Sequence, residues 1–394
     1  MRRRSDLLVL GGGPAGSTVA AWAAAAGCAV TVVDQARFPR DKVCGEFLSS
    51  EGCRVLERIG LLGGLIAQGA VPINRFRIGD ASGRSIEAPL PAPGDPIPRA
   101  LGVSRALLDR LLLEHAAARG ARVLERCRAL RPIVEGGRVE GAVVRAIDGR
   151  SSAIELRATL VVAADGRRSM LARALHPDSG DPSTTHTGSW FGLKTHVGGA
   201  PGELADRVEL QLFDGGYVGL AAVDGGRINV CLMTRVAALR ACGGSPDRLL
   251  SERILANPAV ARVLGGSERC GRWHAIGPLA WGPRRPAAAG ALFVGDAAGT
   301  IDPFSGLGIS NALRAAELVS DTVLVAVDRG ALEPGAARAY ARRWRASFAP
   351  LTRRVRVVGS LFERPRLAVP LIGWLRGAGS GWLPRLLAAT RAEV

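Results

Sequence analysis

The chain has 394 residues, long enough for two domains or for one large domain carrying an inserted module. Hydrophobic residues make up 47%, yet no stretch of about 20 residues is free of charged or polar breaks, which argues against a transmembrane helix. The formal charge of +17 is spread evenly and is almost all arginine, with lysine only at Lys42 and Lys194, so it reads as the composition of a GC-rich genome rather than a nucleic-acid footprint; the seven scattered cysteines form no C-x-x-C pair, which argues against a disulfide framework or zinc site and fits a reducing cytoplasm.

The N-terminus imitates a secretory signal, with Arg2-Arg3-Arg4 before an apolar run and Ala-Ala-Gly-Cys28 after it, but Gly11-Gly12-Gly13-Pro14 breaks the run. Asp6 to Leu10 reads as a buried strand, Ala15 to Ala26 as an alanine-rich helix closed by Gly27, and Ala29 to Val33 as a second buried strand ending in Asp34. A polar loop spans Arg37 to Glu46, and Ser50 caps a helix that runs to Ile59. Asn74 to Pro89 alternates like strands, and Ser104 opens an amphipathic helix, Arg105 to Ala118. Arg122 to Arg157 reads as a three-stranded meander turning at Gly136-Gly137 and Asp148-Gly149, followed by a separate strand from Leu160 to Ala164. Longer alternating strands with aromatics run from about Gly188 to Met233, and Ser245 to Leu264 is helical. Ala291 to Val294 is a buried strand ending at Gly295-Asp296, and a helix follows from Gly308 to Val327. The remainder is helical, interrupted by Pro365, Pro370 and Pro384.

The first segment carries chemistry. Gly11-x-Gly13-x-x-Gly16 follows a strand and opens a helix, with Pro14 and Ala15 inside the turn. Gly11 permits the tight turn, Gly13 lets the backbone approach a pyrophosphate, and Gly16 allows close helix–strand packing. The helix N-terminus then offers unpaired N–H groups to the phosphates. Asp34 falls where a carboxylate accepts ribose hydroxyls. In the context of strand, turn, helix, strand and acid this is a dinucleotide site.

Three further segments resemble the FAD-binding group that includes para-hydroxybenzoate hydroxylase and the geranylgeranyl reductases. They are Val103-Ser104-Arg105-Ala106-Leu107-Leu108-Asp109, the Asp165-Gly166 segment Ala163-Ala164-Asp165-Gly166-Arg167-Arg168-Ser169, and the run from Phe293 through Gly295-Asp296 to Gly306-Leu307-Gly308-Ile309. The resemblance implies FAD as cofactor. Arg105 would then contact the phosphates or the ribityl chain, Asp296 would hold ribityl hydroxyls, and the helix beginning near Gly306-Leu307-Gly308 would point its N–H groups at the flavin pyrimidine edge. Lys42-Val43-Cys44-Gly45-Glu46 looks like the K-x-C-G signature of geranylgeranyl reductase-like proteins, which places Cys44 near flavin and substrate as a candidate active-site residue; as a free-standing residue it reads equally as a small buried filler.

By the same resemblance the fold is α/β: a doubly wound, Rossmann-like FAD domain interrupted by a mostly antiparallel substrate-binding sheet, with a helical C-terminus. The FAD domain would take residues 1–70, 101–180 and 286–330, the substrate sheet 71–100 and 181–285, and the C-terminal helices 331–394. Trp190, Phe191 and Tyr217 would line the roof of the substrate cavity, though each is equally readable as core. Tyr217-Val218-Gly219-Leu220 departs from the Tyr-x-Trp-x-Phe-Pro pattern of prenyl reductases, which puts a prenyl substrate in question, and the tryptophan motif of flavin halogenases is missing. The five histidines (115, 176, 186, 196, 274) lack metal-ligand spacing and are read as structural or surface residues.

The implied activity is hydride transfer from NAD(P)H through flavin N5 to a C=C bond of an apolar, isoprenoid- or polyketide-like substrate. With no second dinucleotide turn, the nicotinamide would bind transiently, or electrons would come from a partner reductase. The rival activity is hydroxylation through a flavin C4a-hydroperoxide, and a non-catalytic prenyl carrier is the lesser alternative. The apolar, basic stretch Leu367 to Thr390 is expected to pack on the FAD domain, with peripheral contact to a membrane surface as the alternative.

Overall fold

The computed structural model describes residues 5–92, 94, 96–149, 151–176, 190–199, 202–279, 281–362, 364–377 and 381–391. Arg2 to Arg4, His186 and Gly188 lie outside the described residues.

An apolar run without alternation must be covered on both faces. Leu7 to Leu10 of β1 (Ser5–Leu10) are accordingly fully buried, and they fix the centre of the first sheet. The glycine turn leads into α1 (Pro14–Ala25) and then β2 (Val30–Val33). β3 (Arg75–Gly79) and β4 (Ser85–Pro89) leave for a second sheet. α2 (Arg105–Ala118) starts where Ser104 Oγ accepts the Leu107 N–H, and β5 (Arg122–Leu124) follows it. β6 (Cys127–Glu135), β7 (Arg138–Ala146) and β8 (Ile154–Ala163) come next. The second sheet is then built by β9 (Trp190–Gly198), β10 (Arg207–Phe213), β11 (Gly216–Val223), β12 (Arg227–Arg235) and β13 (His274–Ile276). The chain returns through β14 (Ala287–Ala288) and β15 (Ala291–Phe293) to α3 (Gly308–Asp328), α4 (Pro334–Phe362), α5 (Pro365–Arg376) and α6 (Trp382–Ala389).

The first sheet has the order β14-β15-β8-β1-β2-β5, parallel from β15 to β5. The structure corrects the sequence reading at two points. Arg122 to Leu124 pairs with β2 as the edge of this sheet rather than with the meander. Residues 154 to 163 form one strand, whose first residues pair with β7 and whose last pair with β1. No turn residue separates Arg157 from Leu160, so nothing breaks the extended chain.

The second sheet runs β13-β9-β12-β11-β10-β3-β4 and is antiparallel except where β10 pairs with β3. Register sorts its side chains. Tyr217, Met233 and Leu212 share one face, whereas Val218, Leu220 and Leu232 pack on the other against Leu249, Ile254 and Val260.

The C-terminal helices join both cores. Tyr340 donates its hydroxyl to the Phe293 carbonyl at 2.7 Å, and Trp344 and Phe348 fill the first core. Further along, Phe362, Ala368, Ile372, Leu375, Leu383 and Leu387 pack beneath the second sheet. The stretch after Leu367 therefore covers the inner face of that sheet, not the dinucleotide domain expected to hold it. Pro365 starts α5, whereas Pro370 and Pro384 sit within α5 and α6. A proline in the first turn removes no helical hydrogen bond, and the burial of Ile372 and Leu375 holds α5 together past Pro370.

Candidate active site

The turn after β1 is shaped by close approach. Gly11 has φ +103°, and a Cβ there would strike the carbonyl of Ala164 at the end of β8. A Cβ on Gly16 would overlap the carbonyl oxygen of Gly11. Asp34 braces the turn: its two carboxylate oxygens accept the N–H groups of Gly12 and Ala36, each at 2.7 Å. The third segment arrives at the same place, since a Cβ on Gly295 would stand 3.2 Å from that of Ala15. The turn at Gly166–Arg168 also lies against that at Gly295–Ala297. The structure thus brings Gly11, Gly13, Pro14, Ala15, Gly16, Asp34, Asp165, Gly166 and Asp296 into one region.

Cations face the glycines. Arg40 Nη2 stands 3.6 Å from the position of a Cβ on Gly13, and Lys42 Nζ stands 3.6 Å from that of a Cβ on Gly166. Arg105, buried at the head of α2, is held by Asp109 through Nε at 2.8 Å and Nη2 at 2.6 Å. Arg40 Nη1 reaches the same carboxylate at 2.9 Å. Burial opposes the charge of Arg105, but the Asp109 carboxylate outweighs it and raises its pKa. Lys42 behaves oppositely: burial and the neighbouring Arg105 and Arg40 lower its pKa against the pull of Asp296. Among the described residues, Asp109 and Asp296 are the acids that act on Lys42 and Arg105, and Asp109 also pairs with Arg40. Cations over glycines that carry no side chain suit the pyrophosphate of a dinucleotide, whose negative charge balances the excess.

Asp165 Oδ2 accepts the Met170 N–H at 2.8 Å, while the buried Oδ1 has no hydrogen-bond partner among the described residues. Burial raises the pKa of this carboxyl. An orphaned acceptor beside the glycine turn fits a hydroxyl donor of the cofactor. Asp302 Oδ1 accepts the Phe304 N–H at 3.0 Å and shapes the turn to Gly306, whose φ of +66° packs it on the Phe47 ring. Leu307 and Ile309 are buried and anchor the start of α3, whereas a Cβ on Gly308 would meet open space. Asp296, Gly308 and Asn311 line one cavity there. The described residues therefore fit FAD.

Of the three roof aromatics, Trp190 and Tyr217 share the inner face with Met233, Phe47, Phe304 and Phe362. Tyr217 meets Phe304 edge-on at 5.6 Å, Phe304 stacks on Phe362 at 5.1 Å, and Arg235 lies over Trp190 at 4.6 Å. Phe191 does not join them. As the next residue of β9 it faces the opposite side of the sheet, where it packs on Gly277.

Cys44 is half-buried. Its Sγ accepts the Glu46 N–H at 3.4 Å and lies within hydrogen-bonding reach of the Arg105 guanidinium, and its carbonyl accepts from Asn229 Nδ2 at 3.1 Å. Beside it is a network that motif reading missed. Glu46 is fully buried at φ +54°, a backbone region costing an L-residue about 1–2 kcal/mol. Its carboxylate binds Lys194 Nζ at 2.6 Å, His196 Nε2 at 2.7 Å and the Arg105 N–H at 2.8 Å. Lys194 Nζ also reaches Asp41 at 2.9 Å. Burial works against the Lys194 charge, yet Glu46 and Asp41 outweigh it and raise its pKa; burial likewise opposes the Asp41 charge, and Lys194 holds that carboxyl's pKa down. Asp41, Glu46 and His196 lie close enough to hold a metal ion, but the Lys194 ammonium stands between the two carboxylates. One signal was present in the sequence: the only two lysines, Lys42 and Lys194, both belong to this region.

Comparison with known proteins agrees with this geometry. Residues 4–353 match the family model described as FAD binding domain. The chain is 31% identical over 359 residues to digeranylgeranylglycerophospholipid reductase 2 of Methanopyrus kandleri, covering 87% of this chain and 83% of the relative. It is 29% identical over 337 residues to menaquinone reductase of Mycolicibacterium smegmatis, covering 82% and 76%. Among solved structures, a geranylgeranyl bacteriochlorophyll reductase-like protein from Thermoplasma acidophilum superposes with a TM-score of 0.79 at 22% identity, over 98% of this chain and 94% of the other. A flavin-dependent brominase gives 0.78 at 17% identity over the same shares, a likeness of fold. The chain belongs to the FAD binding domain family and is an FAD-dependent oxidoreductase of its geranylgeranyl reductase-like branch.

Proposed function

We propose that the protein reduces a C=C bond of an apolar, isoprenoid- or polyketide-like substrate. Bound FAD supplies two-electron hydride transfer, with NAD(P)H as the transient reductant. The observation that carries this reading is an apolar wall: Phe47, Trp190, Tyr217, Met233, Phe304 and Phe362 pack together on the inner face of the second sheet, where Phe47 also meets the turn at Gly306. Such a wall binds hydrocarbon by excluding water and offers few polar groups to a small ionic substrate. The names of the relatives, which specify reduction of menaquinone and of a digeranylgeranylglycerophospholipid, support an apolar substrate.

In this reading Gly11 to Gly16, Asp34, Asp165, Gly166, Asp296 and Gly306 to Ile309 bind FAD. Arg105 acts with Arg40 and Lys42 on its phosphates. Cys44 lines the cleft on the side of the second sheet. Gly219 lies on the same face of the sheet as Tyr217, at the position where prenyl reductases carry a tryptophan, and a Cβ there would meet nothing nearer than the Cys231 carbonyl at 3.7 Å. In this reading the missing indole leaves room for a substrate bulkier than one prenyl chain.

A membrane surface is the proposed source of the substrate. Trp374 and Trp382 are half-exposed, with ring centroids 6.4 Å apart, and Val357, Leu361 and Leu367 are exposed with them. From Pro334 to Arg391 the sequence holds twelve arginines and one acid, Glu363, which suits anionic headgroups. Among the described residues no helix is long and apolar enough to cross a membrane.

Anaerobic turnover with NADPH and candidate lipids tests the activity. Continued product formation without oxygen is the expected result. Turnover only with oxygen, giving a hydroxylated product, would replace this reading with the monooxygenase one.

A further inference from the structure

Two ends of one loop are tied to one strand. At its start Asp41 accepts from Lys194, and His274 of β13 faces the same carboxylate at 3.8 Å. At its end Glu46 accepts from Lys194 and pairs with His196, both of β9. Glu46 also receives the first N–H of α2 on its side chain and the Val103 N–H on its carbonyl. Between these ends lie Lys42, facing Gly166, and Cys44, whose carbonyl is held by Asn229 of β12. Glu46 and Lys194 are wholly buried.

We propose that Glu46 and Lys194 are positioning residues: their buried ion pair locks the Asp41–Glu46 loop to the polar end of the second sheet and thereby sets Lys42 and Cys44 over the cofactor cleft. The proposal rests on reading the cleft as the FAD site, and not on the choice of substrate. Lysine suits the task because its compact ammonium donates to two carboxylates at once, whereas the planar arginine fork imposes its own geometry. Every other side-chain cation except Lys42 and the histidines is arginine, so position 194 departs from the habit of the chain.

The test uses FAD-loaded protein and needs no substrate. Replacing a buried ion pair by neutral groups of similar volume leaves most folds intact, so the double variant Glu46→Gln/Lys194→Met is compared with Glu46→Gln and with wild type. Iodoacetamide labelling is followed at individual cysteines by peptide mass spectrometry, with visible circular dichroism of the bound flavin. Cys53 and Cys242 are fully buried in separate cores and report global opening. The expected result is labelling of Cys44 about tenfold faster with an altered flavin signal, while Cys53 and Cys242 stay protected. Loss of FAD with the two control cysteines still protected also supports the lock. Unchanged Cys44 labelling with FAD retained, or a parallel rise at all three cysteines, overturns it. Failure of the substrate reading would leave these outcomes as they are.

Discussion

The backbone of Gly16 lies so close to that of Gly11 that a Cβ on Gly16 would overlap the Gly11 carbonyl oxygen. The contact couples helix to turn, and the turn in turn presses on Ala164 at the end of β8. Gly16→Ala must therefore push α1 away from the turn. We expect FAD affinity to fall at least about tenfold, because the helix N–H groups lose their aim on the phosphates. The ratio of flavin to protein absorbance in purified protein measures it.

Asp109 holds two cations, Arg105 and Arg40, and is fully buried. Asp109→Asn would leave the buried Arg105 charge without its carboxylate. Breaking such a pair costs about 3–5 kcal/mol. Part of that loss should return when FAD is added, because its phosphates offer a second anion. Urea unfolding with and without FAD reads both effects, and a loss that FAD does not reduce would argue that Arg105 does not face the phosphates.

Asp165 gives a pH signature. Burial raises its folded pKa above the unfolded value of about 3.9. As pH rises past the unfolded value, the unfolded chain gives up its proton first, so stability declines until the folded pKa is passed and stays lower above it. Asp165→Asn should abolish this decline and raise the stability of the flavin-free protein at neutral pH. It should at the same time weaken FAD binding. Melting curves of the flavin-free protein from pH 4 to 8 test the first part, and flavin titration tests the second.

Gly219 leaves the inner face of the second sheet without a side chain beside Tyr217. Gly219→Trp adds an indole to the inner face beside Tyr217 and Cys231. Bulky substrates should lose kcat/KM by at least about tenfold, while a single prenyl chain is retained or improved. Equal losses for both would place the substrate elsewhere.

For the membrane surface, truncation after Pro365 is a poor test, since it also removes Ile372, Leu375, Leu383 and Leu387 from the core under the second sheet. Trp374→Ala/Trp382→Ala alters the exposed face alone. Flotation with anionic liposomes should fall several-fold, and the residual binding should decline with salt. Equal flotation of variant and wild type ends the idea.

Much of this fold was legible along the chain because its signals are local. Strands without alternation, a glycine turn at fixed spacing and a serine cap at Ser104 each act over a few residues. The limits of the meander were not legible, because β8 serves two partners and only pairing reveals it. Phe191 was grouped with Trp190 because both are aromatic, whereas a pleated strand sends neighbours to opposite faces.

By itself the sequence determined a dinucleotide turn, since that depends on backbone room and spacing within one segment, and three further segments pointed to FAD through their resemblance to a known FAD-binding group. Only the tertiary structure decided what surrounds them. It set Arg40 and Lys42 over the glycines, moved the C-terminal helices onto the second sheet, and buried Glu46 against Lys194, 148 residues away along the chain. Burial of a charge is tolerable only where a distant partner meets it, and no pattern within one segment records that meeting.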